Sequence, residues 1–163
     1  MQVTFKGDPL EIEGVQPNVG EKVPNFLVKD IKGKEITDND LRDDVFILSI
    51  FPDINTSVCA KQTKNFNDKV SSLEGIKLIS ISKNTKEELN DWCSAKGIKM
   101  EMVPDTDGSF GKAFGLNIPQ MDKLARSVFV VSQDGLVAYK EVLSEITDEP
   151  NYDAAIDAAK GLL

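Results

Sequence analysis

The sequence predicts an α/β protein whose mixed central sheet is flanked by helices, with a β-hairpin at the N-terminus. Three observations lead there. Val45 to Phe51 is a near-continuous apolar run, as in strands buried on both faces. Apolar residues at helical spacing follow it and lead to a second such run, Ile76 to Ile81. Near the end, two strand-like segments joined through Gln133-Asp134-Gly135 precede a last amphipathic stretch.

Val3 and Phe5, then Leu10 and Ile12, alternate with polar residues around Gly7-Asp8-Pro9, which is the pattern of a hairpin. Phe26 to Val28 and Glu35 to Thr37 form a second hairpin with Gly33 in its turn. After the strand Val45 to Phe51, the spacing of Phe66, Val70 and Leu73 predicts a helix over 57–74. Ile76, Leu78, Ile79 and Ile81 make the next buried strand, so strand, helix and strand form a βαβ unit with parallel strands. Thr85-Lys86-Glu87-Glu88 is a capping box that starts a second helix, and Gly97 stops it. Ser127 to Val131 and Leu136 to Val142 read as an antiparallel hairpin, and Tyr152, Ala155, Ile156 and Ala159 mark a closing helix. A βαβ unit first and a ββα unit last, with helices on both sides, is a thioredoxin-like layout. No repeat, linker or low-complexity stretch interrupts the 163 residues, so the chain 1–163 reads as a single domain.

Composition removes several function classes. A net charge of −8 with scattered lysines argues against nucleic acid as a partner. No apolar run approaches the roughly 20 residues of a membrane span. The first residues lack the basic start and apolar middle of a secretory signal, so a cytoplasmic location is the expectation. There is no histidine, which removes Ser-His-Asp and Cys-His catalysis and every imidazole metal site, and two cysteines cannot form a four-thiolate zinc site. A cysteine nucleophile here has to be activated by a helix N-terminus or a cationic side chain.

Sites in open α/β sheets lie beyond the carboxyl ends of parallel strands. The segment leaving the central strand there is Phe51-Pro52-Asp53-Ile54-Asn55-Thr56-Ser57-Val58-Cys59. With Thr56 as N-cap, Cys59 falls at the third helical position, where free backbone N–H groups and the helix dipole favour an anion. Cys59 also continues the buried stripe Thr63, Phe66 and Val70. Taken alone, it is either a small core residue or a nucleophile, and Cys93, on the Leu89-Trp92 stripe of its helix, is open to a core role as well.

Pro52, Thr56 and Cys59 form P-x-x-x-T-x-x-C, which resembles the peroxidatic motif of the peroxiredoxins. Arg126, in Leu124-Ala125-Arg126-Ser127-Val128, resembles the arginine that completes that site at the start of a late strand. The finer resemblance is to the bacterial thiol peroxidase subfamily, the atypical two-cysteine peroxiredoxins. It rests on the N-terminal hairpin, a second cysteine 34 positions after the first, and the segment Ser144-Glu145-Ile146-Thr147-Asp148-Glu149-Pro150-Asn151-Tyr152. One stretch departs from the pattern: Ser82 to Trp92 lacks the Asp-Leu-Pro-Phe-like segment that the family tends to place before its second cysteine.

The resemblance implies a thiol-dependent peroxidase acting on hydrogen peroxide and organic hydroperoxides, with no metal, haem or flavin cofactor. It implies Cys59 as the peroxidatic nucleophile and Cys93 as the residue that resolves its sulfenic acid into a Cys59–Cys93 disulfide. Pro52 would cover the thiolate, and the Thr56 hydroxyl would accept from the peroxide and donate to the sulfur. Arg126, one of two arginines with Arg42, would hold thiolate and peroxide oxygens in its planar fork. Thioredoxin as reductant and a homodimer are also implied. The rival from another class is a non-catalytic thiol redox sensor that relays its disulfide to a partner protein. A disulfide oxidoreductase is disfavoured because there is no C-x-x-C.

Overall fold

In the computed structural model, which describes residues Met1–Leu163, the chain opens with β1 (Gln2–Phe5) antiparallel to β2 (Asp8–Glu11). The predicted hairpin is present, but its turn lies one step earlier than Gly7-Asp8-Pro9. Lys6 and Gly7 both take positive φ (50° and 86°), the two-residue turn whose twist suits a tight hairpin. Asp8 and Pro9 therefore belong to the second strand, opposite Phe5 and Thr4. The second hairpin also forms, as β3 (Leu27–Lys29) and β4 (Glu35–Thr37), followed by a short 3-10 turn, Asp38–Asp40.

β5 (Val45–Ile50) is buried at all six positions. It leads through an irregular loop into α1 (Ser57–Val70), and β6 (Ile76–Ser82) returns parallel to β5. The predicted helix over 57–74 thus ends earlier, at Val70. Ser71 and Ser72 are weak helix formers, and the chain turns there, with Leu73 N donating to the Val70 carbonyl. α2 (Lys86–Lys96) has the predicted capping box at Thr85 and Glu88, and Gly97 closes it in the left-handed conformation at φ 66°.

Four short elements have no counterpart among the sequence expectations: β7 (Glu101–Pro104), α3 (Ser109–Phe114), β8 (Asn117–Ile118) and β9 (Lys123–Leu124). They precede the expected late hairpin, β10 (Ser127–Val131) with β11 (Val137–Val142), and the closing helix α4 (Tyr152–Lys160).

The main sheet has the order β11-β10-β5-β6-β7, with β5, β6 and β7 parallel and β10 antiparallel between β5 and β11. α1 and α4 cover one face, where Phe66, Val70, Ala155, Ile156 and Ala159 pack on Val45, Ile47, Val128 and Val130. Phe110 and Phe114 of α3 and the N-terminal hairpins cover the other, against Phe46, Leu48, Ile50 and Phe129. Each large apolar side chain fully buried this way contributes about 1.5–3 kcal/mol relative to exposure. A third cluster sits at the carboxyl end of β5 and gathers Ile31, Phe51, Ile54, Cys59, Leu89, Cys93 and Met102. No helix is long and apolar enough to cross a membrane.

Candidate active site

The site lies where β5 hands the chain to α1. Thr56 is the N-cap in extended conformation, and Cys59 is the third helical residue, with no solvent exposure. The first turn of α1 carries no acidic side chain, and no side chain caps it. Its amides and the positive end of the helix are therefore left to act on an anion at Cys59.

Two N–H groups converge on the sulfur. Arg126 Nη2 donates to Cys59 Sγ at 3.2 Å, and the Asp53 backbone amide donates at 3.4 Å. Arg126 is 3% exposed, and its guanidinium is held at two further points. Nε donates to the Ile146 carbonyl at 2.7 Å and Nη1 to Gln62 Oε1 at 2.8 Å. Gln62, fully buried, donates in turn to Ser49 Oγ at 2.8 Å and to the Ile50 carbonyl at 3.2 Å. A planar fork with three fixed partners cannot rotate away from the sulfur.

The carbonyl that Arg126 uses is itself anchored. Glu145, its neighbour in sequence, accepts from Thr4 Oγ1, the Gly7 amide, the Thr147 amide and Thr147 Oγ1 at 2.7–2.9 Å. These bonds, the Thr147 hydroxyl first and the Gly7 amide next, pull the Glu145 carboxyl down to about 2. The N-terminal hairpin is thereby stapled to the loop behind Arg126.

Pro52, Thr56, Val58, Arg126, Met121 and Phe5 line a cavity of about 330 Å³ at the start of α1. Pro52 is buried and Thr56 exposed. The Thr56 hydroxyl differs from the expectation that it would donate to the sulfur: it donates to the Asp53 carbonyl at 2.8 Å. Its lone pairs remain free to accept. Larger holes lie elsewhere, including one of about 590 Å³ between Lys34, Arg42, Lys77 and Glu101, away from both cysteines.

Cys93 occupies a contrasting environment. It is 7% exposed, its thiol donates to the Met102 thioether at 3.1 Å, and burial pushes it above its ordinary value. Both cysteines are free thiols, yet both belong to the third apolar cluster. The structure thus brings Pro52, Thr56, Cys59 and Arg126 to one place and sets Cys93 in the cluster behind it. Sequence reasoning missed Gln62. The signal was present: a polar amide three residues after Cys59, on the helix face that otherwise reads Cys59, Thr63, Phe66.

The AhpC/TSA family profile matches residues 19–140, and the chain belongs to that family. Over nearly its whole length it is similar to proteins named thiol peroxidase. That of Listeria innocua is 41% identical over 161 residues, covering 98% of each chain. That of Bacillus subtilis is 40% identical, covering 99% of this chain and 98% of the relative. Among solved structures, a peroxiredoxin-like protein from Aquifex aeolicus superposes with a TM-score of 0.93 at 28% identity, over 99% of this chain and 97% of that one. The resemblance to the thiol peroxidase subfamily seen in the sequence is borne out, as is the thioredoxin-like α/β fold.

Proposed function

We propose that this protein is a thiol-dependent peroxidase that reduces hydrogen peroxide and organic hydroperoxides through Cys59. The observation that carries the proposal is the pair of N–H donors, Arg126 Nη2 and the Asp53 amide, aimed at a fully buried sulfur in the first turn of α1. Such preformed donors stabilise charge where it resides on the thiolate and where it passes to the leaving oxygen.

The Cys59 thiolate attacks the terminal peroxide oxygen. The S–O bond forms as the O–O bond breaks, and the departing alkoxide or hydroxide takes a proton to leave as alcohol or water. Pro52, with no N–H, walls the sulfur from solvent, and the Thr56 hydroxyl accepts from the incoming hydroperoxide. Cys93 then attacks the Cys59 sulfenic acid, giving an intramolecular disulfide and water. Thioredoxin returns both thiols, and the protein works as a cytoplasmic homodimer. A transient catalytic disulfide is compatible with that compartment. Peroxide consumption with thioredoxin and its reductase, across hydrogen, alkyl and lipid hydroperoxides, tests the proposal. Absence of multiple turnovers with all three would leave the redox-sensor alternative.

A further inference from the structure

Three successive residues of the loop before α1 are bonded to the segment that opens α2. Asn84 Nδ2 donates to Asp53 Oδ1 at 2.9 Å, the Ile54 amide donates to Asn84 Oδ1 at 2.8 Å, and Asn55 Nδ2 donates to Glu88 Oε2 at 2.7 Å. The same Glu88 closes the α2 capping box by accepting from the Thr85 amide at 3.0 Å. Asn84 lies between the end of β6 and that box and is 5% exposed. Its Oδ1 also takes the Ser82 hydroxyl at 2.8 Å. Two bonds accepted and one donated to a carboxylate, all from one short side chain, require a primary amide.

What Asn84 holds bears directly on the sulfur. Asp53 supplies the backbone N–H on Cys59 Sγ, and its loop has little regular structure to keep that amide in place. Burial alone would push the Asp53 carboxyl up. The Asn84 amide, the Asn55 N–H and Lys123 outweigh it and hold the group below its ordinary value. Asp53 therefore stays an anion, which keeps Asn84 bound to it.

We propose that Asn84 is a positioning residue for the Cys59 thiolate, acting through Asp53, and that it couples the aim of that donor to the state of the helix carrying Cys93. Because this rests on the thiol-peroxidase function proposed above, wild-type activity is the control. A donor pinned in advance needs no reorientation when charge moves on the sulfur. When α2 loosens so that Cys93 can reach the sulfenic acid, the Glu88 strap is lost. Asn84, Lys123 and the Thr56 bonds to the Asp53 carbonyl then hold the loop less firmly than before. The coupling is reciprocal: what loosens the start of α2 also slackens the Asp53 amide.

The test uses full-length wild type, Asn84→Asp, Asn84→Ala and the double variant Asn84→Asp/Asp53→Asn. Asn84→Asp keeps both accepting roles but sets a second carboxylate against Asp53. The second-order rate of Cys59 oxidation by hydrogen peroxide, from rapid-quench thiol titration, is expected to fall at least about tenfold in both single variants. Reduction of the disulfide by dithiothreitol should not change. In the double variant the amide at position 53 can donate to the carboxylate at 84, but the Asn55 amide and Lys123 lose their carboxylate acceptor. The rate should therefore recover in part, to at least about threefold above Asn84→Asp, with melting curves confirming folded protein throughout. Wild-type rates in the folded single variants, or a double variant no faster than Asn84→Asp, would overturn the proposal. A wild-type protein that does not react with peroxide would overturn the proposed function and this inference with it.

Discussion

Arg126 and Cys59, 67 positions apart in sequence, meet as donor and acceptor at 3.2 Å, and the arginine reaches the sulfur with the one terminal nitrogen not used elsewhere. Charge alone does not reproduce that arrangement. In Arg126→Lys a single ammonium would have to choose among Cys59, Gln62 and Ile146, leaving buried acceptors unpaired. The second-order rate with peroxide is expected to fall at least about 100-fold, while reduction of the disulfide is unaffected. Stopped-flow kinetics of both half-reactions checks this, and wild-type peroxide kinetics would make Arg126 a structural residue.

The two cysteines should separate cleanly. Only Cys59 has donors on its sulfur, whereas Cys93 sits against a thioether with its thiol pushed up by burial. Cys59→Ser is expected to abolish peroxide reduction. Cys93→Ser should consume about one equivalent and stop as a sulfenic acid that dimedone traps. Sustained turnover of Cys59→Ser with thioredoxin would reverse the assignment.

A pH effect on stability is expected from β7. Burial first, then the hydrogen bond and the negative charge of Asp30, push the Glu101 carboxyl from 4.5 up to about 7. The native protein thus keeps a proton that the unfolded chain releases between those values. Its contribution is fully present below pH 4.5 and is lost as pH rises through about 7. Glu101→Gln, which cannot ionise, should therefore raise Tm more at pH 8 than at pH 5. Equal shifts at the two pH values would show that Glu101 ionises in the native state as it does in the unfolded chain.

Motion of α2 is the next expectation. The helix buries only Leu89 and Cys93, so local opening there costs little. Trp92, the sole tryptophan, packs against the cluster that holds both cysteines. One equivalent of peroxide should change its emission, dithiothreitol should restore it, and amide exchange across 85–97 should rise in the oxidised form. Unchanged emission and exchange beside a Cys59–Cys93 disulfide proven by mass spectrometry would mean that no opening step exists.

Much of the site was legible because its logic is local. Directly after a buried strand, a proline, an N-cap threonine and a cysteine at the third helical position follow one another within eight residues, Pro52 to Cys59. Arg126 was legible only through resemblance, since nothing near it in sequence points at a sulfur. Gln62 and Asn84 act mainly through partners 12 to 64 positions away; the polar break that Gln62 makes in a buried helix face marks the residue, but no periodicity reveals what either one holds. β7 escaped because four residues ending in Pro104 show neither alternation nor a long apolar run. The end of α1 was overestimated because Leu73 keeps helical spacing after the backbone has already turned at Ser71.

Cys59, Cys93 and Leu89 share one apolar cluster, so in the proposed cycle joining the two sulfurs would open part of the hydrophobic interior. Robustness and speed are then opposed in this protein. A substitution that filled space beside Leu89 or Met102 would hold α2 more firmly, yet it would also lengthen the life of the sulfenic acid. A sulfenic acid kept waiting can meet a second peroxide and pass irreversibly to the sulfinic state. Under the proposed mechanism the sparse packing of α2 would guard against self-inactivation, and variants selected only for heat resistance should prove the quickest to die in concentrated peroxide.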